Sequence, residues 1–223
     1  MQTVFQTLFV NGVVRDINRL AYFGSRSSTN ANFDALDGMW SVVYPAEVAA
    51  SRTPKVTLLS LDGDLSTAAS VSLGNGKATK VLQAVYDAQS TALYGVADTE
   101  KVFNVSRAIY DGYRKDLQNV AINGENNATL LRNGLPVLTF NGIELVCNPT
   151  WNADMAAAGI TSLGDNLVEL TTRFNKVLVS NLNGMDFSFR TWFEQKDEKV
   201  YIMSRPKIGF DIIHGTLAVV AYK

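Results

Sequence analysis

The seven residues before the C-terminal lysine place the strongest constraint on the fold of this chain. The segment Thr216–Tyr222, TLAVVAY, is apolar at almost every position, so a strand formed there has no polar face. Such a strand is normally central in a sheet or covered on both sides. Because the sequence ends one residue later, at Lys223, we expect the C-terminus to be tied into the core, where most termini fray.

An alternating strand precedes this terminal segment. Aromatic and β-branched residues occupy every second position from Phe187 to Phe193, and polar residues together with Trp192 occupy the positions between them. This period of two indicates a strand with one face more buried than the other. The charged turn Gln195–Lys199 follows, and Val200–Met203 resumes an apolar strand. The sequence therefore predicts three consecutive strands at the C-terminal end.

Helical spacing dominates the first half of the chain. Apolar residues recur three and four positions apart along Thr3–Tyr22, which predicts one long amphipathic helix that ends at Gly24. The same spacing predicts a helix over Lys77–Leu93 with Ala92 in its buried stripe. A third helix is predicted to begin after Ser106, its N-cap, and to run through Gln118.

Short strands dominate the second half. Leu135–Phe140 and Ile143–Cys147 flank Asn141 and Gly142, the dipeptide most typical of a tight β-hairpin turn. Another strand pair is predicted for Asn166–Thr172 with Lys176–Asn181. Helices early and strands late favour an α+β fold over an alternating α/β fold, and no long linker divides the chain into independent domains.

The composition offers little support for catalysis or nucleic-acid binding. The formal net charge is −1, from 20 basic and 21 acidic residues, and no short window is dominated by lysine and arginine. Sequence-specific nucleic-acid binding is therefore not expected. The single histidine, His214, has no accompanying nucleophile motif, and the single cysteine, Cys147, lies in an apolar run. We expect both residues to be structural, and we expect no cofactor, no metal and no membrane span.

Three residues are candidates for contacts between subunits. Trp192 lies with Arg190 on the more polar face of its predicted strand, and an exposed Trp–Arg face is typical of protein interfaces. The alternative is that a helix or loop of the same chain covers this face. Trp40 is the third candidate, although its segment also predicts a packing anchor. The polar loop Ser25–Asn32 is a further candidate surface.

Three passages carry a resemblance to a known family. They are FNVSRAIYDGY at Phe103–Tyr113, GLPVLTFNGIELVCNPTW at Gly134–Trp151 and KIGFDIIHGTLAVVAY at Lys207–Tyr222. In this order they resemble the major capsid proteins of tailed bacteriophages, the shell proteins of the Hong Kong ninety-seven-like fold, and most closely those of phages and prophages of gut Bacteroidetes. Each passage is a structural pattern, so the resemblance rests on their order along nearly the whole chain.

The resemblance implies an α+β fold with a peripheral lobe and an axial lobe. Residues 1–102 would supply the spine helix of the peripheral lobe and connecting segments, and residues 103–181 would supply the sheet and helices of the axial lobe. Residues 182–223 would be C-terminal strands that close the sheet and return to the peripheral lobe. We find neither the N-terminal arm nor the extended loop that family members usually have, so we expect the chain to be a fragment. No crosslinking lysine is carried over.

The resemblance further implies a structural protein and not an enzyme. The chain would self-assemble into hexameric and pentameric capsomers, with other capsid proteins as partners, and would form the icosahedral head shell around phage DNA. Its location would be the virion, and the host cytoplasm during assembly. Two alternatives stay open. An encapsulin-like compartment shell shares the fold, and an α+β enzyme or ligand-binding domain would require a pocket with converging polar groups.

Overall fold

A six-stranded mixed sheet forms the centre of the fold. The computed structural model describes residues 2–61, 63–68, 76–122, 130–132, 135–180, 189–196, 198–204 and 208–223. The strands of the central sheet lie in the order β1 (Lys55–Thr57), β12 (Ala218–Tyr222), β7 (Val168–Thr172), β2 (Lys101–Ser106), β6 (Ile143–Asn148) and β5 (Thr139–Phe140). Strand β12 is parallel to β1 and antiparallel to β7, and β2 is antiparallel to β7 and parallel to β6.

Three two-stranded ribbons accompany the central sheet within the described ranges. Each is antiparallel. They pair β3 (Leu130–Arg132) with β4 (Leu135–Val137), β8 (Lys176–Ser180) with β11 (Ile208–Ile212), and β9 (Phe189–Glu194) with β10 (Lys199–Ser204). The C-terminal third of the chain therefore supplies two adjacent strands of the central sheet, β7 and β12, and all four strands of two separate ribbons.

The helices lie before and between these strands. They are α1 (Gln2–Phe23), α2 (Tyr44–Ala49), α3 (Lys77–Asp87), α4 (Thr91–Tyr94), α5 (Arg107–Ile122) and α6 (Trp151–Ala157). One turn of π-helix, Met39–Val43, leads directly into α2. Together with the mixed sheet, these helices confirm the predicted α+β class.

Both faces of the central sheet are covered. On one face, Val219 and Ala221 pack in a core with side chains of α3 and α5, and on the other face Val220 and Tyr222 pack with Trp40 and its neighbours. All five residues of β12 are buried. The prediction that the terminal strand is covered on both sides is thus confirmed, although the strand begins at Ala218 after a short 3₁₀ turn.

The predicted hairpin turn and the predicted end of the first helix are also confirmed. Asn141 and Gly142 both have positive φ angles, 49° and 80°, as a two-residue hairpin turn requires, and Phe140 pairs with Ile143 across it. Helix α1 ends before Gly24, whose carbonyl accepts a 2.8 Å hydrogen bond from the Gly38 amide. A β-carbon on Gly38 would lie 2.7 Å from the Gly24 nitrogen, so this backbone contact requires glycine.

The predicted pairing of the strands around residues 166–181 is wrong. Strand β7 is hydrogen-bonded to β12 on one side and to β2 on the other, so neither of its edges is available to β8. Strand β8 instead pairs with β11, which the sequence analysis did not identify as a strand. Apolar periodicity shows where a strand lies and which face is buried, but it carries no information about which strand lies alongside.

The helix predicted over Lys77–Leu93 is interrupted. Helix α3 ends at Asp87, and α4 begins at Thr91, where the Ser90 hydroxyl accepts a 3.1 Å hydrogen bond from the Leu93 amide. Because the restart changes the rotational register, Leu93 is buried and Ala92 is exposed, so the prediction for Ala92 is wrong.

The predicted N-cap of the third helix is right in position, because α5 begins at Arg107 directly after Ser106, but the Ser106 side chain makes no capping hydrogen bond. The Ser106 hydroxyl is buried and has no hydrogen-bond partner in the described part of the chain, so it does not cap α5. The helix also runs four residues beyond the predicted end at Gln118, to Ile122. Ser106 is the last residue of β2, and its backbone nitrogen donates to the Leu167 carbonyl, which draws it into the sheet rather than the helix.

A carboxylate from α5 caps helix α3 across the core. The residue before α3 is Gly76, which offers no side chain, and Asp116 accepts hydrogen bonds from the Gly76 amide at 2.9 Å and the Thr79 amide at 3.2 Å. The Thr79 hydroxyl donates a third, at 3.0 Å. A negative charge is stabilising at this end of a helix, where amide groups have no partner within the helix.

Replacing Asp116 by alanine is expected to destabilise the chain by about 2 kcal/mol, because it removes a charged hydrogen-bond acceptor and leaves buried donors without a partner. Urea unfolding would measure the loss. The matched control is Asp111→Ala, which removes an exposed ion pair with Arg107 on the same helix and should cost no more than about 0.5 kcal/mol. Equal losses in the two variants would contradict the capping role.

Candidate subunit-contact surfaces

The β9–β10 ribbon presents aromatic side chains to the surroundings. Trp192 and Phe193 are adjacent on β9 and therefore point to opposite faces, and they are 42% and 58% exposed. Arg190 lies on the same strand, where it pairs with Met203, while Trp192 pairs with Tyr201. Phe187 and Ser188, which the predicted alternation included, lie outside the described residues. Much of the Trp192 ring is thus accessible in the isolated chain.

The β8–β11 ribbon carries a second exposed apolar surface. Phe210 and Ile212 on β11 pack against the core around Trp40, which anchors one part of the ribbon to the body of the molecule. Val179 is 55% exposed, and Phe174, in the turn before β8, is 79% exposed. Exposed apolar residues on projecting elements are typical of surfaces that another protein covers.

Trp40 lies in the core and not on the surface. It is completely buried, and its ring packs edge-on against Tyr44, Trp151 and Tyr222 at centroid distances of 5.2, 5.5 and 6.2 Å. This arrangement matches the packing anchor that its segment predicts. Trp40 also lines a cavity of about 370 Å³ together with Ser25. The cavity brings Trp40 next to the polar loop that was the other candidate surface, although no charged side chain lines it.

The residues with the greatest chemical reactivity are not assembled into a site. His214 is exposed before β12, while Cys147 is half-buried on β6, and burial raises the pKa of the Cys147 thiol, with a further contribution from Asp111. A raised pKa keeps this thiol protonated at neutral pH and therefore weakly nucleophilic. No cluster of three metal-ligating side chains occurs among the described residues. None of the described helices is long and apolar enough to cross a membrane.

Asn175 holds the point where the chain leaves the central sheet for the β8–β11 ribbon. Its side-chain amide donates to the Thr171 hydroxyl at 3.2 Å and to the His214 carbonyl at 3.0 Å, and its side-chain oxygen accepts from the His214 amide at 2.9 Å. The Ile213 amide donates to the Asn175 carbonyl at 2.9 Å. One buried side chain therefore joins the strand that leaves the sheet to the strand that returns to it.

A buried carboxylate, Glu169, lies on the same strand two residues before Thr171. Glu169 on β7 is 0% exposed, and it accepts hydrogen bonds from the Tyr44 hydroxyl and from the Asn104 amide, the latter at 3.2 Å. The Lys176 ammonium donates to it at 2.9 Å and also reaches the Tyr22 hydroxyl at 3.4 Å. We call these five residues the Glu169 network. Its charges are paired and hydrogen-bonded, as buried charges must be.

The network raises the pKa values of its proton donors. Burial, reinforced by Glu169, raises the pKa of Tyr44 well above its ordinary value of 10.0, and burial also raises that of Tyr22. Burial alone would lower the pKa of Lys176, but the attraction of Glu169 and the contact with Tyr22 outweigh it, so the pKa lies above the ordinary 10.5. All three groups therefore hold their protons more tightly in the folded chain than in the unfolded chain.

Stability is accordingly expected to fall as pH rises above about 10, because the unfolded chain loses these protons first. The contribution is fully present below the ordinary pKa values and is lost as pH rises through the higher folded values. Other tyrosines whose pKa is raised act in the same direction: Tyr86, Tyr110, Tyr113 and Tyr222. Urea unfolding across alkaline pH would measure the slope, and Tyr44→Phe should make it shallower. A slope unaffected by Tyr44→Phe would contradict the expectation.

Neither Asn175 nor the Glu169 network was predicted from the sequence. A signal for the network was present, because Glu169 is a charged residue within the otherwise apolar run Leu167–Leu170. A carboxylate at such a position needs a buried partner. The sequence does not identify that partner, since Tyr44 is 125 residues away along the chain.

Comparisons with known proteins support the fold through structure and not through sequence. No protein-family model and no curated protein matches the sequence. Among solved structures, a chain of the satellite phage P4 procapsid including the size determination (Sid) protein matches with a TM-score of 0.55 and 14% identity, over 98% of this chain and 67% of that one. A chain of the capsid of Cyanophage P-SCSP1u matches with a TM-score of 0.55 and 14% identity, over 100% of this chain and 65% of that one.

An encapsulin matches equally well. A chain of the holo-SrpI encapsulin complex from Synechococcus elongatus PCC 7942 has a TM-score of 0.56 and 14% identity, over 99% of this chain and 65% of its own. The fold is thus the α+β fold of phage capsid proteins, which an encapsulin shares. This chain spans about two thirds of the length of each of these shell proteins.

Proposed function

We propose that the chain is a structural protein, a major capsid subunit that assembles into the icosahedral head shell enclosing phage DNA. The observation that carries the proposal is the fold, because chains of two phage shells match it over 98% and 100% of its length. The order of the sequence passages that resemble tailed-phage major capsid proteins supports the same function. We further propose that the source is a phage or prophage of Bacteroidetes, on that sequence resemblance alone.

The surface chemistry supports assembly from many identical copies. A net charge of −1 creates little repulsion between copies at high local density. Closed shells need heterologous contacts, in which one surface of a subunit meets a different surface of its neighbour. The two ribbons supply exposed apolar surfaces, and we propose Trp192 and Arg190 as contact residues. Trp40 contributes to such a contact only through the cavity beside the polar loop.

The proposed division into lobes places the long helix α1 in the peripheral lobe and the central sheet in the axial lobe. The sheet takes strands from all three proposed ranges, since β1 lies in residues 1–102 and β12 lies in residues 182–223. The axial lobe is therefore closed by segments that are distant in sequence. As a capsid subunit the protein would reside in the virion, and in the host cytoplasm during assembly, with other capsid proteins as partners.

The match to an encapsulin favours a second candidate, a shell that encloses protein cargo. Both functions require self-association, so they share one first experiment. Light scattering over a concentration series should show pentamers, hexamers or larger species, and negative-stain images of these should show rings or closed shells. A chain that remains monomeric at all concentrations would overturn the assembly proposal for this polypeptide. Nuclease-protected DNA inside purified shells would favour the phage head, and co-purifying protein cargo would favour the compartment.

A further inference from the structure

Two projecting parts of the molecule meet the central sheet at one buried carboxylate. Tyr22 lies at the C-terminal end of α1, Lys176 is the first residue of the β8–β11 ribbon, and Glu169 is in the middle of the central sheet. We propose that the Glu169 network is a conformational lock that holds α1 and the ribbon in one orientation relative to the sheet. The proposal concerns the subunit itself and holds whether or not the chain forms a shell.

Apolar packing alone does not fix the direction of α1. Over residues 11–23, the part of the helix whose burial is described, only Ala21 and Phe23 are buried, and most residues from Asn11 to Asp16 are exposed. Because the helix is 22 residues long, a small rotation about its buried end would displace the other end by several ångströms. Hydrophobic contact is non-directional and resists such a rotation weakly.

The hydrogen bonds of the Glu169 network determine the direction of α1 relative to the sheet. The Lys176 ammonium lies between the Tyr22 hydroxyl at 3.4 Å and the Glu169 carboxylate at 2.9 Å, and it is also 5.3 Å from the centre of the Tyr22 ring. Lys176 therefore contacts the end of α1 and the sheet at once, and its own backbone begins the ribbon. Moving the ribbon would separate the Lys176 ammonium from the buried Glu169 carboxylate, which is costly. Moving α1 would break the hydrogen bond and the cation–π contact between Lys176 and Tyr22.

The energetics indicate that this network serves orientation more than stability. Replacing a buried ion pair by apolar residues of similar volume is often neutral or stabilising, whereas removal of one partner is strongly destabilising. The core on this side of the sheet is aromatic and aliphatic and includes Trp40, Val220 and Leu167. Apolar side chains in place of the network would therefore be compatible with their surroundings. A fully paired polar cluster inside such a core specifies one arrangement, because its bonds are satisfied in only that arrangement.

Distances between spin labels would test the lock directly. In a Cys147→Ser background, one pair of labels joins Arg15→Cys on α1 to Gln118→Cys on α5, and a second joins Val179→Cys on the ribbon to Gln118→Cys. All of the labelled positions are exposed. Labelled chains are diluted into unlabelled chains so that only distances within one subunit are measured. Both pairs should give a single narrow distance distribution in the otherwise unchanged chain.

The decisive variant replaces every member of the Glu169 network except Tyr22 by an apolar residue: Glu169→Leu, Lys176→Met, Tyr44→Phe and Asn104→Leu. Its urea midpoint should equal or exceed that of the wild type, while both distance distributions broaden at least about twofold as further orientations become populated. Unchanged widths would overturn the proposal. Failure of this variant to fold would also overturn it, since the network would then be required for stability itself.

Tyr22→Phe is the conservative companion, because it removes only the hydroxyl that links α1 to Lys176. It should broaden the Arg15–Gln118 distribution and leave the Val179–Gln118 distribution narrow. The opposite pattern, or no change in either, would contradict the assigned geometry. Asp116→Asn is the control for lost stability, since it weakens the cap of α3 away from the network and should leave both distributions unchanged.

Discussion

The double substitution Trp192→Ala with Arg190→Ala should weaken self-association by at least about 30-fold, because loss of even one central Trp or Arg residue of an interface costs about 2 kcal/mol or more. Trp192 is accessible on a ribbon that lies apart from the central sheet, so its loss should leave the folded subunit intact. Light scattering over a concentration series would measure the change in association. Circular dichroism and the urea midpoint should match those of the wild type.

A matched control separates this ribbon from exposed apolar surface in general. Phe174→Ala removes a more exposed aromatic ring from the turn before β8, outside the β9–β10 ribbon. We expect it to change association less than the double substitution does. An unaltered oligomer distribution in the Trp192/Arg190 variant would show that this ribbon is not a contact. An equal loss in both variants would show that association depends on total apolar surface.

Asn175→Ala should destabilise the subunit by about 3 kcal/mol, because it removes the three hydrogen bonds of a buried side chain and leaves the His214 amide without the acceptor that Asn175 supplies. The substitution should lower the stability of the whole chain, and it should lower that of the β8–β11 ribbon most. Amide hydrogen exchange should accelerate along β8 and β11, whose ladder begins next to Asn175, and it should change less in β2 and β6 at the centre of the sheet. Urea unfolding gives the global loss, and exchange gives its location.

Asn166→Ala provides the comparison at the other end of β7. The Asn166 amide donates to the Leu65 and Thr67 carbonyls at 2.8 and 2.7 Å, so its removal also costs buried hydrogen bonds. Those bonds hold the segment around Leu65 and have no part in the ribbon. The Asn166 variant should therefore lose stability without selective exchange in β8 and β11. Equal exchange patterns in the two variants would contradict the assignment of Asn175 as the junction.

Asn175 and the Glu169 network lie where the β8–β11 ribbon and helix α1 join the central sheet. The central sheet is covered on both faces, whereas residues Asn11 to Asp16 of α1 and Val179 of the β8–β11 ribbon are largely exposed. In this arrangement, Asn175 fixes where the ribbon leaves the sheet, and the Glu169 network fixes the direction that α1 and the ribbon take. Subunits that build a closed surface need such fixed angles, because an error at each contact accumulates around the ring.

Local patterns predicted those features of the fold that depend on neighbouring residues. The terminal strand Ala218–Tyr222 was predictable because an apolar run without a polar face must be covered on both sides. The turn at Asn141 was predictable because few residues accept positive φ, and helix α1 was predictable from its period. The α+β class follows from the order of these elements. The fold family was also accessible from the order of short passages, and structural comparison supports it.

The tertiary structure alone decided which elements meet. Strand β7 and the following β8 look like partners in sequence, but β12 and β2 occupy both edges of β7. Asp116 caps a helix through the Gly76 amide, which lies 40 residues earlier, and Lys176 reaches Tyr22 across 154 residues. Periodicity and turn chemistry act over a few residues, whereas these contacts depend on how whole elements pack. The sequence therefore determined most of the elements and most of their buried faces, and the packing of those elements determined the partners, the cap and the buried network.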